Sequence, residues 1–277
     1  MQKILVFTDL HFRNHGETIL GINPAVRFSE ALAHGLRNYP DAPHIVLMGD
    51  LTNSGKASEY EALAEALDGL KTPVTLMCGN HDNRDNLRAV FPDVPVTQSG
   101  HLQRFIDLDD TRLITLDTLD GPPYRNDYHQ GYLCANRLKW LDDTLRTSPG
   151  RAVIFMHHPA WVSGLSGMDD IRLRNEDAFF DLLDSHRNVV HIFTGHLHRT
   201  VSGNARGYSF STFKSPNIQT PLFLENLHIS QSTPEPGAYG LVLLDKAIIA
   251  HTEDFQLALD EVENCREALP DQPTEQA

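Results

Sequence analysis

Apolar and polar positions follow two periods along the chain. Residues 3–8 (KILVFT), 44–48, 73–78, 151–156 and 188–193 are short apolar runs rich in β-branched and aromatic residues, which predicts buried strands. Between them the spacing turns helical. Val26, Phe28, Leu32 and Leu36 predict a helix opening at Pro24 and ending before Pro40. Tyr60, Leu63 and Leu67 predict one over 57–70, with Ser58 and Glu61 placed as a capping box. Further helices are expected over 83–90, 136–145 and 176–185. Strands alternating with helices predict βαβ units and a largely parallel sheet.

Elsewhere the pattern is looser. Residues 91–135 carry prolines at 92, 95, 122 and 123 around two expected strands, 102–108 and 112–117, and 161–175 reads as a loop. After His198, Tyr208 to Ser211 alternates and 240–244 and 247–250 flank Asp245-Lys246 as a hairpin, so antiparallel strands at a sheet edge are expected. Helical spacing returns over 254–269. The chain therefore divides into a core over 1–202, strands over 203–253 that complete the sheet and could form a cap or oligomer contact, and a helix with polar tail over 254–277.

Composition narrows the function. A net charge of -14 and a pI near 5.4 argue against nucleic-acid polymers and anionic membranes as partners. An anionic substrate must then meet a local positive charge such as a metal. Three scattered cysteines make neither a disulfide framework nor a zinc knuckle and suit the cytoplasm. No secretory leader is visible, and no run reaches the roughly 20 apolar residues of a membrane helix. Fifteen histidines is a high count for 277 residues.

Those histidines collect where strands end. Asp9-Leu10-His11, Gly49-Asp50, Gly79-Asn80-His81-Asp82, His157-His158 and Gly195-His196-Leu197-His198 each follow an apolar run. Each motif alone is weak; together they occupy the C-terminal strand ends where an open α/β sheet gathers its ligands. Oxygen and imidazole donors without thiolate suit Mn, Fe, Zn or Co. Asp9, His11, Asp50, Asn80, His157, His196 and His198 are too many for one ion with an open position and fit two ions sharing a ligand. Asp50, with two carboxylate oxygens, is the natural one to share.

This ordered set, with Pro159 after His158, resembles the calcineurin-like metallophosphoesterases. It is most similar to the class III cyclic nucleotide phosphodiesterases and the bacterial glycerophosphodiesterases, which residues 11–17 and 49–60 also resemble. The resemblance implies an α/β fold, a four-layer α/β/β/α sandwich, here with a small C-terminal β-rich extension. One ion would take Asp9, His11, Asp50 and His198, the other Asp50, Asn80, His157 and His196. His81 would address the substrate as the catalytic imidazole, with Asp82 orienting it and Asn80 also near the substrate. His158 would be a partner behind His157 or a substrate contact; Arg13 would line the pocket or lie in a solvated loop. Leu20 departs from the family pattern, where the glycerophosphodiesterases carry tyrosine.

The implied activity is hydrolysis of small phosphodiesters by a metal-bound hydroxide at a dinuclear centre. Phosphomonoester hydrolysis and a non-catalytic binding role are the alternatives, and a homo-oligomer is possible. Charge favours the diester. Two divalent ions, less two carboxylates and a hydroxide, leave about one positive charge.

Overall fold

The computed structural model describes residues 1–124, 129–225, 228 and 231–256. Its elements run β1 (Gln2–Phe7), α1 (Pro24–Asn38), β2 (His44–Met48), α2 (Ala57–Ala66), β3 (Val74–Met77), α3 (Arg84–Val90), β4 (Arg104–Leu108) and β5 (Thr111–Leu116). They continue with α4 (Ala135–Arg146), β6 (Arg151–Met156), α5 (Ser166–Asp169), α6 (Glu176–Asp184), β7 (Val189–Thr194), β8 (Val201–Ala205), β9 (Tyr208–Thr212), β10 (Tyr239–Leu244) and β11 (Ile248–Glu253). Two sheets form, in the orders β11-β10-β1-β2-β3 and β4-β5-β6-β7-β9-β8.

Alternation within the apolar runs explains the layers. In β1, Leu5 and Phe7 enter the core shared with α1 and α2, whereas Ile4 and Val6 enter the core between the sheets. β2 repeats this with Ile45 and Leu47 against Val46 and Met48. In β6, Val153 and Phe155 face the other sheet while Ile154 and Met156 join Leu141 of α4 and Phe179 of α6. A strand buried on both faces cannot alternate with polar residues, hence the unbroken runs. Each such side chain contributes about 2 kcal/mol by burial. The result is the expected α/β/β/α stack.

Several local expectations are corrected. Lys56, not Ser58, is the N-cap of α2, and Glu59 Oε2 accepts from the backbone N–H of Ser54 (2.8 Å) and Lys56 (3.3 Å). Ser58 Oγ instead donates to Asn14 Oδ1 at 2.6 Å. The stretch 161–175 holds the one-turn helix α5, closed by Asp169, whose carboxylate accepts from Ser163 N (2.7 Å) and Gly164 N (3.0 Å). The strands after His198 are not confined to an antiparallel edge. β9 lies parallel beside β7, and β10 lies inside the first sheet, antiparallel to β1. Alternation reports a face, not the neighbour's direction. The helix expected over 254–269 lies, from residue 257 on, outside the described residues.

Candidate metal centre

The C-terminal ends of β1, β2, β3, β6 and β7 meet at one end of the sandwich, and the backbone there is strained. Asp9 (φ 55°), His11 (46°), Asp50 (46°), His196 (67°) and His198 (46°) are five of the eight non-glycine residues with positive φ among those described. Side chains other than glycine pay for that conformation, so its concentration at five expected ligands marks a built site. Two glycines permit the closeness. A Cβ on Gly79 would overlap Asp50 Oδ1 and lie 2.7 Å from His157 Nε2; one on Gly195 would overlap Thr8 Oγ1 and lie 2.9 Å from Asp9 Oδ2.

All seven expected ligands converge. Asp50 Oδ2 lies 3.3 Å from His157 Nε2 and 3.8 Å from His11 Nε2. Asp9 Oδ1 lies 3.4 Å from His198 Nε2 and 3.9 Å from His157 Nε2, and the Nε2 atoms of His11 and His198 are 3.1 Å apart. One detail differs from the sequence reading. Asp50 Oδ1 accepts the His81 backbone N–H at 2.8 Å, so Oδ2 is the oxygen left without a backbone donor and would be the one available to a shared ion.

The donors fit divalent cations. Asn80 Oδ1, His157 Nε2 and His196 Nε2 are buried polar atoms without a protein hydrogen-bond partner, an arrangement that costs stability unless a ligand satisfies it. Backbone carbonyls fix the tautomers. His157 Nδ1 donates to Met48 O (3.0 Å) and His198 Nδ1 to Ile218 O (2.8 Å), leaving both Nε2 lone pairs for the centre. Burial holds the imidazoles of His11 and His196 well below the usual histidine range, in the neutral form that ligates. Against the same burial, Asp50 and Asp9 push His157 up to about 9, while His157 and His81 hold the buried Asp50 carboxyl well below its usual range. The two carboxylates thus call for positive charge between them.

The other expected residues separate. His81 lines the cavity, and its Nδ1 donates to Asn53 O at 2.8 Å. Asp82 has a different task from the one expected. It accepts from Leu51 N, Thr52 N, Thr52 Oγ1, Tyr60 OH and Gly79 N, all within 3.1 Å, and so locks the β2 and β3 tips together. Burial, with Asp50 nearby, pushes its carboxyl up to about 6 despite those donors. His158 is fully buried, with Nδ1 on Thr118 Oγ1 (2.7 Å) and Nε2 on His129 O (3.1 Å), and one of its ring nitrogens lies within 4.8 Å of ring nitrogens of His157 and His196. Arg13 is paired with Glu17 (3.3 Å) in a separate groove beside α1 and α2. Leu20 is exposed, away from the lining of the metal cavity.

Sequence reasoning missed three supports. His129 Nδ1 lies 3.0 Å from Asn80 Nδ2, turning Oδ1 of that amide to the centre, and its ring stacks on His81 at 5.4 Å. Ser215 Oγ donates to Asp9 O (2.7 Å) and Asn217 Nδ2 to Leu10 O (2.6 Å), bracing the strained β1 turn. No periodic signal marks these residues. The cavity at this centre, about 260 Å³, is lined by His129 among these and also by Met168 and Ile171.

Comparison with known proteins agrees with this geometry. The sequence profile of the calcineurin-like phosphoesterases matches residues 2–200. A probable cyclic nucleotide phosphodiesterase of Rhodopseudomonas palustris is 40% identical over 210 residues, 75% of this chain and 76% of that one. The glycerophosphodiester phosphodiesterase GpdQ of Enterobacter lignolyticus is 29% identical, covering 77% of each. Among solved structures, a dimetal phosphatase from Danio rerio superposes with a TM-score of 0.71 at 17% identity, over 92% of this chain and 96% of that one, which is a likeness of fold. No helix among the described residues is long and apolar enough to cross a membrane.

Proposed function

The chain belongs to the calcineurin-like phosphoesterases, and from that premise we propose that it hydrolyses small phosphodiesters, cyclic nucleotides or glycerophosphodiesters, at a centre of two divalent ions. The observation that carries this reading is the convergence of three unpartnered buried ligand atoms with two carboxylates beneath His81. Asp9, His11, Asp50 and His198 would hold one ion, and Asp50, Asn80, His157 and His196 the other. Their oxygen and imidazole donors suit Mn, Fe, Zn or Co. Ions bound there supply Lewis-acid charge for the non-bridging phosphate oxygens and lower the pKa of water.

The chain's own groups do the rest. Asn80 contributes an amide oxygen and no negative charge. Because His81 spends its Nδ1 proton on Asn53 O, its Nε2 can give a proton to the leaving alkoxide only as the imidazolium. Asp82, by joining the β2 and β3 tips, keeps Asp50 and Asn80 in register. Met168 and Ile171 give the cavity its apolar lining.

Protein stripped by a chelator should lose, and protein reloaded with Mn²⁺ or Zn²⁺ regain, hydrolysis of bis(p-nitrophenyl) phosphate. A reloaded, folded protein without that activity would refute the reading. The same preparation, offered cyclic AMP, 2',3'-cyclic AMP, glycerophosphocholine and a phosphomonoester, ranks the substrate classes; preference for the monoester would favour a phosphomonoesterase instead.

A further inference from the structure

Beyond His81 the metal cavity continues into a second recess of about 410 Å³. The two share Asn80, His81 and His129 as a common wall. Their linings differ in chemistry. The metal cavity closes on Met168 and Ile171, whereas the recess is lined by Asn53, Ser54, Tyr124 and Lys56. Lys56 is the one lysine or arginine lining either cavity among the described residues.

Nearby acids are already engaged. Glu59 Oε2 is held by two backbone N–H groups, Asp82 by its own donors, and Glu17 by Arg13 and Asn14. No salt bridge is formed by Lys56 among the described residues. It is exposed, at the N-cap of α2, where the helix start adds positive potential of the same sign. Its charge reaches Glu17, which Arg13 and Asn14 already hold, so on a chain of net charge -14 a lysine without a salt bridge on a lining shared with His81 is a selective feature.

Resting on the phosphodiesterase reading, we propose that Lys56 makes this recess a subsite for a leaving alcohol that carries a second anionic group, a carboxylate or phosphate, beyond the scissile diester. His81 stands between the two cavities, so an alcohol leaving past His81 enters the recess. The Tyr124 hydroxyl accepts from Arg84 N (3.2 Å) and keeps its own proton to donate there. The apolar wall of Met168 and Ile171 takes the other ester group.

The test compares bis(4-carboxyphenyl) phosphate with bis(p-nitrophenyl) phosphate in metal-loaded wild type, Lys56→Gln and Lys56→Arg. The readout is the ratio of the two kcat/KM values within each protein, which cancels the amount of active enzyme, compared with the wild-type ratio, which cancels the intrinsic reactivities of the esters. An exposed charge pair is worth up to about 1 kcal/mol, so Lys56→Gln should lower the carboxylate-to-nitro ratio about fivefold and Lys56→Arg should restore it. A ratio within twofold of wild type in Lys56→Gln overturns the subsite. A folded, metal-loaded wild type that cleaves neither ester overturns the phosphodiesterase reading itself.

Discussion

Asp50→Ala should cut kcat/KM for bis(p-nitrophenyl) phosphate by about 10³-fold or more and leave the protein with fewer than two bound ions. The size follows from how many tasks one carboxylate has. Its Oδ2 lies between the imidazoles of the two ligand groups, 3.8 Å from His11 and 3.3 Å from His157. Its Oδ1 holds the His81 backbone N–H. On the proposed reading, removing it would uncouple the two ions from each other and His81 from both. Adding His81→Ala to Asp50→Ala should therefore cost little further, because groups acting as a unit are not additive. Asp50→Asn, which keeps an acceptor for the His81 N–H, separates folding from chemistry and should be folded yet nearly as impaired. An Asp50→Ala protein with two ions and activity within tenfold of wild type would contradict this.

The second large effect comes from charge alone. Asn80→Asp should retain both ions while kcat/KM falls about 10- to 100-fold, chiefly through KM. A carboxylate in place of the amide cancels the single positive charge left for the diester. At an effective dielectric near 20 and a separation of about 5 Å, one charge is worth roughly 3 kcal/mol before screening. The same change removes the Nδ2 group that donates to His129 Nδ1 at 3.0 Å, but a carboxylate can accept there once His129 carries its proton on Nδ1, so the contact is kept by a change of tautomer. Unchanged KM and kcat in a metal-loaded Asn80→Asp protein would refute the electrostatic account.

How much of this was legible depended on distance along the chain. β2 and β6 follow directly from their apolar runs, because burial on both faces leaves a local signature. The expected ligands at strand tips were equally local, each within four residues of a strand end. Asp82 was not, since the backbone it serves comes from Leu51, Thr52 and Gly79, and only packing of β2 against β3 brings them together. His158 and His157 are neighbours in sequence with different partners, Thr118 and His129 for the first and the carboxylates for the second, which no local signal separates. Ser215 and Asn217 act on residues more than 200 positions away. Arg13 follows a ligand motif closely, yet Glu17 four residues on draws it aside.

The central claim is that diester hydrolysis needs two ions held together. Titrating Mn²⁺ into chelator-stripped protein, while following both bound metal and hydrolysis of bis(p-nitrophenyl) phosphate, tests it most directly. Activity should stay low through the first equivalent and rise with the second, reaching its plateau at two ions per chain. Full activity at one equivalent, or none with two ions bound, would contradict it.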